Sequence, residues 1–219
     1  MNNFSKLFDH TNLKPFASEA DMRKLCEEAI EFNFKTVAIN NANIERCSEF
    51  LKGTDVLVDA AVSFPLGQCT LDTKLFETRD AIIKGAGEVD YVINIAELKM
   101  GNYSYIEKEM KEIVKICREF NVTSKVIFEN CYLTNEEKIV LCKIANEVKP
   151  NFIKTSTGFG TSGATIEDVK LMRENTIEEI KIKAAGGVRT LDMVQKFVQA
   201  GASRIGTSAA VKIMEEYNK

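Results

Sequence analysis

The stretch F-I-K-T-S-T-G-F-G (152–160) is the first of three similar segments near the end of the chain. The other two are I-K-I-K-A-A-G-G-V (180–188) and R-I-G-T-S (204–208). Each begins with a short, mostly apolar run and continues into a loop of small residues. Short runs of this kind, bounded by such loops, are typical of strands that are buried on both faces. The three segments therefore predict three consecutive buried strands.

The same pattern recurs towards the beginning of the chain. Five further runs are predicted as strands: L-F-D-H-T (7–11), T-V-A-I-N (36–40), V-L-V-D-A-A-V (56–62), V-D-Y-V-I-N (89–94) and S-K-V-I-F-E (124–129). Amphipathic stretches with apolar residues at helical spacing lie between strands, at 20–32, 105–120 and 135–148. Ser18, Thr134 and Thr165 each stand three residues before an acidic residue, which is typical of a helix N-cap. The order is strand then helix, repeated.

Eight such units favour a (β/α)₈ TIM barrel. The chain has 219 residues, and 219/8 is about 27 residues per unit, enough for a strand, a helix and two short loops. A doubly wound open sheet is the alternative, but no G-x-G-x-x-G follows the first strand. With three prolines and no Ser/Gly-rich linker, we expect one domain spanning 1–219.

Composition narrows the class of function. Lys plus Arg number 29 and Asp plus Glu number 32, giving a net charge of −3 with both signs mixed along the chain. Neither nucleic acid nor a membrane surface is therefore an expected partner. The N-terminus lacks the pattern of a signal peptide, and no apolar run is long enough for a membrane helix. We expect a cytoplasmic protein.

The chain is poor in metal-binding residue types. It has one histidine, His10, and its six cysteines include no C-x-x-C pair. Most His- or Cys-based metal centres are therefore disfavoured, and a Ser-His or Cys-His dyad would have to use His10. We expect the chemistry to come mainly from Lys, Asp, Glu and backbone groups.

Four charged residues interrupt predicted buried strands: Asp9, Asp90, Lys154 and Lys183. Asp90, Lys154 and Lys183 lie towards the carboxyl ends of their strands, where TIM barrels hold their active sites. A buried charge is costly unless it meets an opposite charge, so several in one chain suggest that they meet. Two neighbouring lysines would each lower the other's pKa and favour a neutral amine that can attack a carbonyl.

Plainer interpretations of these residues remain open at this stage. Each lysine could lie at the rim with its stem on apolar surface and its ammonium group in water, which is the preferred interpretation for Lys181. Asp90 could be a core carboxylate that accepts hydrogen bonds from backbone or hydroxyl groups. The combination with Lys154 and Lys183 favours a Schiff-base enzyme instead.

Glycine-containing loops follow the last three predicted strands. Glycines let backbone N–H groups approach an anion, and the loops after strands seven and eight often bind phosphate in this fold. The candidates are Gly158, Gly186, Gly187, Gly206 and Ser208. Arg189 could help to hold phosphate or could be a solvated loop residue. F-P-L-G-Q (64–68) is expected to form a loop that shapes the pocket wall.

At this point the sequence resembles the deoxyribose-phosphate aldolase family of class I aldolases. The resemblance covers nearly the whole chain, and the order and separation of its motifs agree. The motifs are D-H-T-N-L-K-P (9–15), F-P-L-G (64–67), E-V-D-Y-V-I-N-I (88–95), F-I-K-T-S-T-G-F-G (152–160), I-K-A-A-G-G-V-R-T (182–190) and R-I-G-T-S (204–208).

The resemblance implies a barrel that reversibly cleaves 2-deoxy-D-ribose 5-phosphate to acetaldehyde and D-glyceraldehyde 3-phosphate, with no metal or other cofactor. It implies that Lys154 forms the Schiff base, that Lys183 perturbs it, that Asp90 transfers protons and that Asp9 supports the relay. The family's phosphate loops fall on the five candidates above. Some members carry a C-terminal tyrosine that assists proton transfer, and the equivalence of Tyr217 is left open.

Two other functions remain as alternatives. One is another Schiff-base aldolase or transaldolase that acts on a different sugar phosphate. The other is a noncatalytic barrel that binds sugar phosphates as a sensor. The expected partners are a sugar phosphate and aldehydes, together with a possible second copy of the chain in a homodimer.

Overall fold

The structure, a computed structural model, describes residues 4–219. Its eight parallel strands close into a barrel in which each strand pairs with the next and β1 pairs with β8. The predicted TIM barrel is thereby confirmed. The expected domain span of 1–219 includes Met1–Asn3, which lie outside the described residues. The strands are β1 (Phe8–Asn12), β2 (Thr36–Asn40), β3 (Leu57–Val62), β4 (Ala86–Val92), β5 (Thr123–Ile127), β6 (Phe152–Lys154), β7 (Lys181–Ala185) and β8 (Arg204–Thr207).

Helices surround the barrel and bury their apolar faces against it. Those in the described part of the chain are α1 (Glu19–Glu31), α2 (Ile44–Phe50), α3 (Leu71–Ile83), α4 (Ile95–Lys99), α5 (Tyr103–Glu119), α6 (Asn135–Val148), α7 (Ile166–Glu174), α8 (Leu191–Gln199) and α9 (Ala210–Tyr217). The core between helices and strands is rich in Ile, Val and Ala. Burial of this apolar surface is the main force that closes the barrel.

The expected helix starts are confirmed. Ser18 and Thr134 form capping boxes at the starts of α1 and α6. In each box the side chain of the cap accepts a hydrogen bond from the backbone N–H of the third helical residue, and the side chain of that residue accepts one from the backbone N–H of the cap. Thr165 accepts a hydrogen bond from the Asp168 N–H at the start of α7. These caps mark where α1, α6 and α7 begin.

The strand predicted at 89–94 differs most from its expected bounds. It runs over Ala86–Val92 and so begins three residues earlier than expected. Glu88, which directly precedes the predicted run, therefore lies inside β4 and is 1% exposed. The correction matters for the site, because Glu88 joins its buried charges.

Strand register brings the charged residues together. Asp90 of β4 is the register partner of Lys125 of β5, and Lys154 of β6 is the partner of Lys183 of β7. Lys183 is in turn the partner of Arg204 of β8. Register partners on parallel strands direct their side chains to the same face. In this barrel that face is the interior.

The helices of residues 4–219 were also considered as candidate membrane spans. None of them combines the length and the apolar character that crossing a bilayer requires.

Candidate active site

Eight charged side chains meet inside the barrel, all of them buried. Burial of so many charges is tolerable only because each acid has a basic neighbour. The acids are Asp9, Asp59, Glu88 and Asp90, and the bases are Lys125, Lys154, Lys183 and Arg204. The numbers of acids and bases are equal, so the fully ionised cluster has no net charge.

Asp90 lies at the centre of the cluster. One of its oxygens, Oδ2, accepts from the Nζ of Lys154 at 2.7 Å and from the Nζ of Lys183 at 2.6 Å. The other oxygen, Oδ1, accepts from Lys125 at 2.7 Å. The plainer interpretation of Asp90 as a carboxylate held by backbone or hydroxyl donors is therefore wrong. Its three ammonium partners hold the pKa of Asp90 well below its usual range despite burial.

Lys183 is enclosed by carboxylates. Its Nζ lies 2.5 Å from Asp9, 2.8 Å from Asp59 and 2.6 Å from Asp90. The position of Lys183 at the rim, considered as an alternative, is wrong because the side chain is 0% exposed. Lys181, for which the rim was preferred, is exposed.

The two lysines therefore have opposite electrostatic environments. Burial lowers the pKa of Lys154; the charge of Asp90 opposes this effect, and the charge of Lys183 reinforces it. Burial alone would also lower the pKa of Lys183, but Asp59, Asp9 and Asp90 outweigh it and raise that pKa above its ordinary value. Lys154 is thus the amine that more readily becomes neutral, while Lys183 stays charged. Loss of hydration, more than repulsion from Lys183, lowers the pKa of Lys154, and the three carboxylates around Lys183 create the difference between the two lysines.

The deeper part of the cluster links β1, β4 and β8. Arg204 donates to Asp9 at 2.6 Å and to Glu88 at 2.8 Å, and Lys125 lies 2.7 Å from Glu88. Asp9, Asp59 and Glu88 lie close enough together for a metal site in principle. Their oxygens instead face Lys125 and Arg204, and cationic side chains at these distances would repel a metal ion. The residues present do not fit a metal.

Asp59 differs from the other acids. Burial and the negative charge of Asp90 raise its pKa to about 7, although Lys125 and Lys183 oppose the shift. Asp59 contacts both of these lysines at 2.8 Å. Asp59 therefore holds a proton more readily than Asp9 or Asp90, whose pKa values are lowered.

Sequence reasoning missed four members of the cluster, namely Asp59, Glu88, Lys125 and Arg204. Lys125 and Arg204 lie near the start of their strands, where polar residues are ordinary, and Asp59 is a single acid in an apolar run. The available signal was that Asp59 interrupts the apolar run V-L-V-D-A-A-V (56–62), as Asp90 interrupts its own run.

A cavity of about 250 Å³ opens above the cluster at the carboxyl ends of the strands. Lys154 lies at its base, whereas Asp90, Lys183 and Asp9 lie behind it. All five residues predicted to bind phosphate line this cavity: Gly158, Gly186, Gly187, Gly206 and Ser208. Arg189 and Lys14 also line it. The structure therefore brings the predicted nucleophile and the predicted phosphate loops to one space.

The loops around this cavity present backbone donors. Within residues 4–219, no group accepts a hydrogen bond from the N–H of Gly158, Gly186, Gly187 or Ser208. Gly187 has a φ of +77°, a left-handed conformation that strains any residue with a side chain. A side chain on Gly186 would come within 2.8 Å of the Gly163 backbone. Small residues thus keep these N–H groups unpaired and accessible to an anion.

Phe64 lies beside the nucleophile. Its ring centroid lies 5.9 Å from the Nζ of Lys154. The ring of Phe159 meets Phe64 edge to face at 5.4 Å and is itself half exposed. The segment 64–68, expected to shape the pocket wall, does not line the cavity itself; Phe64 lies beside Lys154 and packs on Phe159, which does line it.

Two other residues weighed from the sequence lie apart from the cluster. The Nε2 of His10 is 2.8 Å from Glu28 of α1, and burial lowers the His10 pKa. The ring of Tyr217 stacks on Phe4 at 4.1 Å. Phe4 precedes β1 at the amino ends of the strands, so the Tyr217 ring lies at the end of the barrel opposite the cavity.

Comparison with known proteins agrees with this geometry. A family model described as DeoC/LacD family aldolase matches residues 5–215. The deoxyribose-phosphate aldolase of Lactobacillus acidophilus is 58% identical over 215 residues, covering 98% of this chain and 91% of that protein. The same enzyme from Thermoanaerobacter sp. strain X514 is 50% identical over 218 residues, covering 99% and 98%. The solved deoxyribose-phosphate aldolase of Aeropyrum pernix superposes with a TM-score of 0.92 at 28% identity, covering 99% and 92%.

Proposed function

This chain belongs to the DeoC/LacD aldolase family, and on that premise we propose how its residues carry out the aldolase reaction. The chain is a deoxyribose-phosphate aldolase. It reversibly cleaves 2-deoxy-D-ribose 5-phosphate to acetaldehyde and D-glyceraldehyde 3-phosphate. The observation that carries the assignment of residues is the Lys154 amine, which has a lowered pKa, contacts Asp90 at 2.7 Å and lies at the base of a cavity rimmed by unpaired N–H groups.

Lys154 is the nucleophile in this proposal. Its neutral amine attacks C1 of the open-chain sugar, and the resulting carbinolamine loses water to form an iminium ion. The positive nitrogen then accepts electrons, which is the role that a metal ion performs in other aldolases. Burial beside the Phe64 ring supports this assignment, because it favours the neutral amine before attack.

Asp90 moves the protons. In the cleavage direction it accepts, through water, the proton of the C3 hydroxyl while the electrons of the C2–C3 bond move to form an enamine on Lys154. D-glyceraldehyde 3-phosphate leaves at this step. Protonation of the enamine carbon and addition of water then release acetaldehyde and restore the free amine. The contact between Asp90 and Lys154 at 2.7 Å supports a carboxylate in this role.

Lys183 and Asp9 keep Asp90 ionised, so that it can accept a proton. Lys183 holds Asp90 ionised and adds a positive charge near the amine, and Asp9 in turn holds Lys183 charged at 2.5 Å. Lys183 contacts Asp59 as well as Asp90, so when Asp90 takes up a proton the charge of Lys183 is still compensated by Asp59. Neither Lys183 nor Asp9 forms a bond to substrate in this proposal.

Phosphate is bound mainly by backbone. The unpaired N–H groups of Gly186, Gly187 and Ser208 indicate an anion site at the mouth of the cavity. Gly158 and Gly206 line the same cavity. The Ser208 hydroxyl adds one donor just before α9. Arg189 and Lys14 add positive charge at the rim.

The reaction is tested by supplying 2-deoxy-D-ribose 5-phosphate and measuring both products. We expect acetaldehyde and D-glyceraldehyde 3-phosphate in equal amounts, and synthesis of the sugar when both are supplied. Dihydroxyacetone phosphate and pyruvate should fail as donors in place of acetaldehyde. Activity with either donor would favour a different Schiff-base aldolase, and binding of the sugar without turnover would favour a sensor.

The proposal also retains two expectations from the sequence: a cytoplasmic location and a homodimer. The Aeropyrum pernix relative is described as tetrameric, which supports self-association as a general property to test. Light scattering on the purified protein at several concentrations gives the molar mass directly. A mass equal to one chain at all concentrations would contradict the homodimer.

A further inference from the structure

Glu77, on the inner side of α3, contacts the loop that follows β3. Its Oε2 accepts a hydrogen bond from the backbone N–H of Ser63 at 2.7 Å. Its Oε1 accepts from the Nδ2 of Asn41 at 2.6 Å. Asn41 follows β2, so this one carboxylate ties together the ends of two neighbouring strands at the mouth of the barrel.

Ser63 needs this hydrogen bond because of its backbone conformation. Its φ is +49°, in the left-handed region that costs free energy for any residue with a side chain. Surrounding contacts must therefore hold it. The Ser63 carbonyl accepts from Gly67 at 2.8 Å, which closes the turn, and Glu77 holds the N–H on its other side.

This turn carries Phe64 directly. The Phe64 ring is the apolar neighbour of the Lys154 amine, at 5.9 Å, and it meets Phe159 edge to face. A shift of the turn would move the ring away from the amine. The carbon chain of an aldehyde bound as an imine begins at Nζ, so a ring 5.9 Å from that atom limits the room beside it.

We propose that Glu77 is a positioning residue for the aldolase reaction: by fixing Ser63 with Asn41 it holds Phe64 beside Lys154, and Phe64 thereby selects a small aldehyde donor. The inference rests on the proposed function and extends it from the nucleophile to the wall that surrounds its adduct. Glu77 contacts neither substrate nor Lys154 and acts only through Phe64.

The hydrogen-bonding pattern predicts which substitutions are tolerated. Glu77→Met removes both acceptors. Glu77→Gln keeps one acceptor for Ser63 and gains an amide donor. If the Asn41 amide group rotates by half a turn, its Oδ1, which has no partner among residues 4–219, can accept from that donor. Glu77→Gln should therefore behave like the native chain.

The test measures imine formation on the full chain with acetaldehyde and with propanal, trapped by borohydride across a range of pH. For Glu77→Met we expect the rate constant with acetaldehyde to fall about tenfold, which corresponds to roughly 1.4 kcal/mol. The preference for acetaldehyde over propanal should shrink, and the pH profile should shift to higher pH as water reaches the amine. Phe64→Leu should reproduce these three changes.

A second pair of variants keeps the test decisive if Glu77→Met does not fold. Asn41→Asp places two carboxylates in contact, so the loss should grow as pH rises and both ionise. Asn41→Asp combined with Glu77→Gln restores an amide donor facing a carboxylate and should recover most of the loss. Asn146→Asp is the matched control, because Asn146 ties Asn175 and Ile177 at the amino end of β7, far from the mouth. It should alter melting temperature without altering donor preference or the pH profile.

Three results would overturn the inference while leaving the aldolase assignment intact. They are unchanged donor preference in both Glu77→Met and Phe64→Leu, equal losses in Glu77→Gln and Glu77→Met, or changes in Asn146→Asp that match those of Glu77→Met. A native chain that forms no imine with acetaldehyde would instead contradict the proposed function itself.

Discussion

The barrel interior and the barrel mouth offer different groups to a charged ligand. In the interior, Asp90 contacts three lysines, and its charge is balanced by side chains alone. At the mouth, the donors are the backbone N–H groups of Gly186, Gly187 and Ser208, which have no partner among residues 4–219.

The difference follows from what each region must do. A reaction that moves protons needs groups whose charge can change, and only side chains have a suitable pKa. A phosphate that must be held without reacting needs donors whose charge never changes, which backbone amides provide. Substitutions should therefore affect chemistry in the interior and substrate preference at the mouth.

The largest effect is expected from Lys154→Ala. Loss of the nucleophile should lower kcat by roughly a thousandfold or more, because the other two lysines of the cluster, Lys125 and Lys183, are fully buried and have raised pKa values. Steady-state cleavage of the phosphorylated sugar measures it, with circular dichroism to verify the fold. Retained turnover in a folded variant would contradict the division between interior and mouth.

Lys183→Leu should have the next largest effect. It removes one of the two lysines that lie within 4.0 Å of all three acids Asp9, Asp59 and Asp90, the other being Lys125, at a cost of about 3–5 kcal/mol in the free energy of unfolding. Asp90 then acts more strongly on Lys154, and the repulsion from Lys183 is lost, so both changes raise the Lys154 pKa. Imine formation should need higher pH and should recover partly there.

Lys181→Leu is the control for that variant, since Lys181 lies two residues earlier on β7 and is exposed. It should leave both the stability and the pH profile of imine formation almost unchanged. An unshifted profile in Lys183→Leu would refute the electrostatic role of that lysine.

Gly187→Val tests the mouth. We expect kcat/KM for deoxyribose 5-phosphate to fall about a hundredfold while kcat/KM for unphosphorylated deoxyribose changes little, because left-handed φ disfavours a β-branched residue and the loop must move. Gly53→Val provides the control, with a φ of +80° and similarly open surroundings, away from the cavity. Equal losses on both substrates would show that the loop supports chemistry or folding instead.

Ser208→Ala should have the smallest effect of the series. It removes one hydrogen bond to a charged group and leaves the backbone donors, which costs roughly 1.5 kcal/mol, or about tenfold in kcat/KM for the phosphorylated substrate. Ser203→Ala is the control, because Ser203 is exposed and directly precedes β8, whereas Ser208 directly follows it. A larger loss than in Gly187→Val would reverse the proposed order of backbone and side-chain donors.

The two regions also differed in how well the sequence predicted them. The glycine loops follow β6, β7 and β8 as expected, because small residues after a buried strand can be recognised from the sequence alone. Their unpaired N–H groups were not predictable, since pairing depends on how the loops after β6 and β7 pack, as Gly163 against Gly186 shows.

In the interior, Asp90, Lys154 and Lys183 could be singled out because they interrupt apolar runs. Lys125 and Glu88 could not, because each lies near a strand start, where a charge is ordinary. Which charges meet depends on register between strands that are distant in sequence, such as Arg204 with Glu88. The pKa difference between Lys154 and Lys183 likewise depends on that register, because Asp59 and Asp9 reach only one of the two lysines.

The most direct test of the account is to locate the imine. The native chain is incubated with acetaldehyde, reduced with borohydride, and analysed by intact mass and peptide mapping. The account predicts one added ethyl group per chain, on Lys154 alone, with the yield rising as pH increases. An adduct on Lys183, or no adduct while cleavage proceeds, would contradict it.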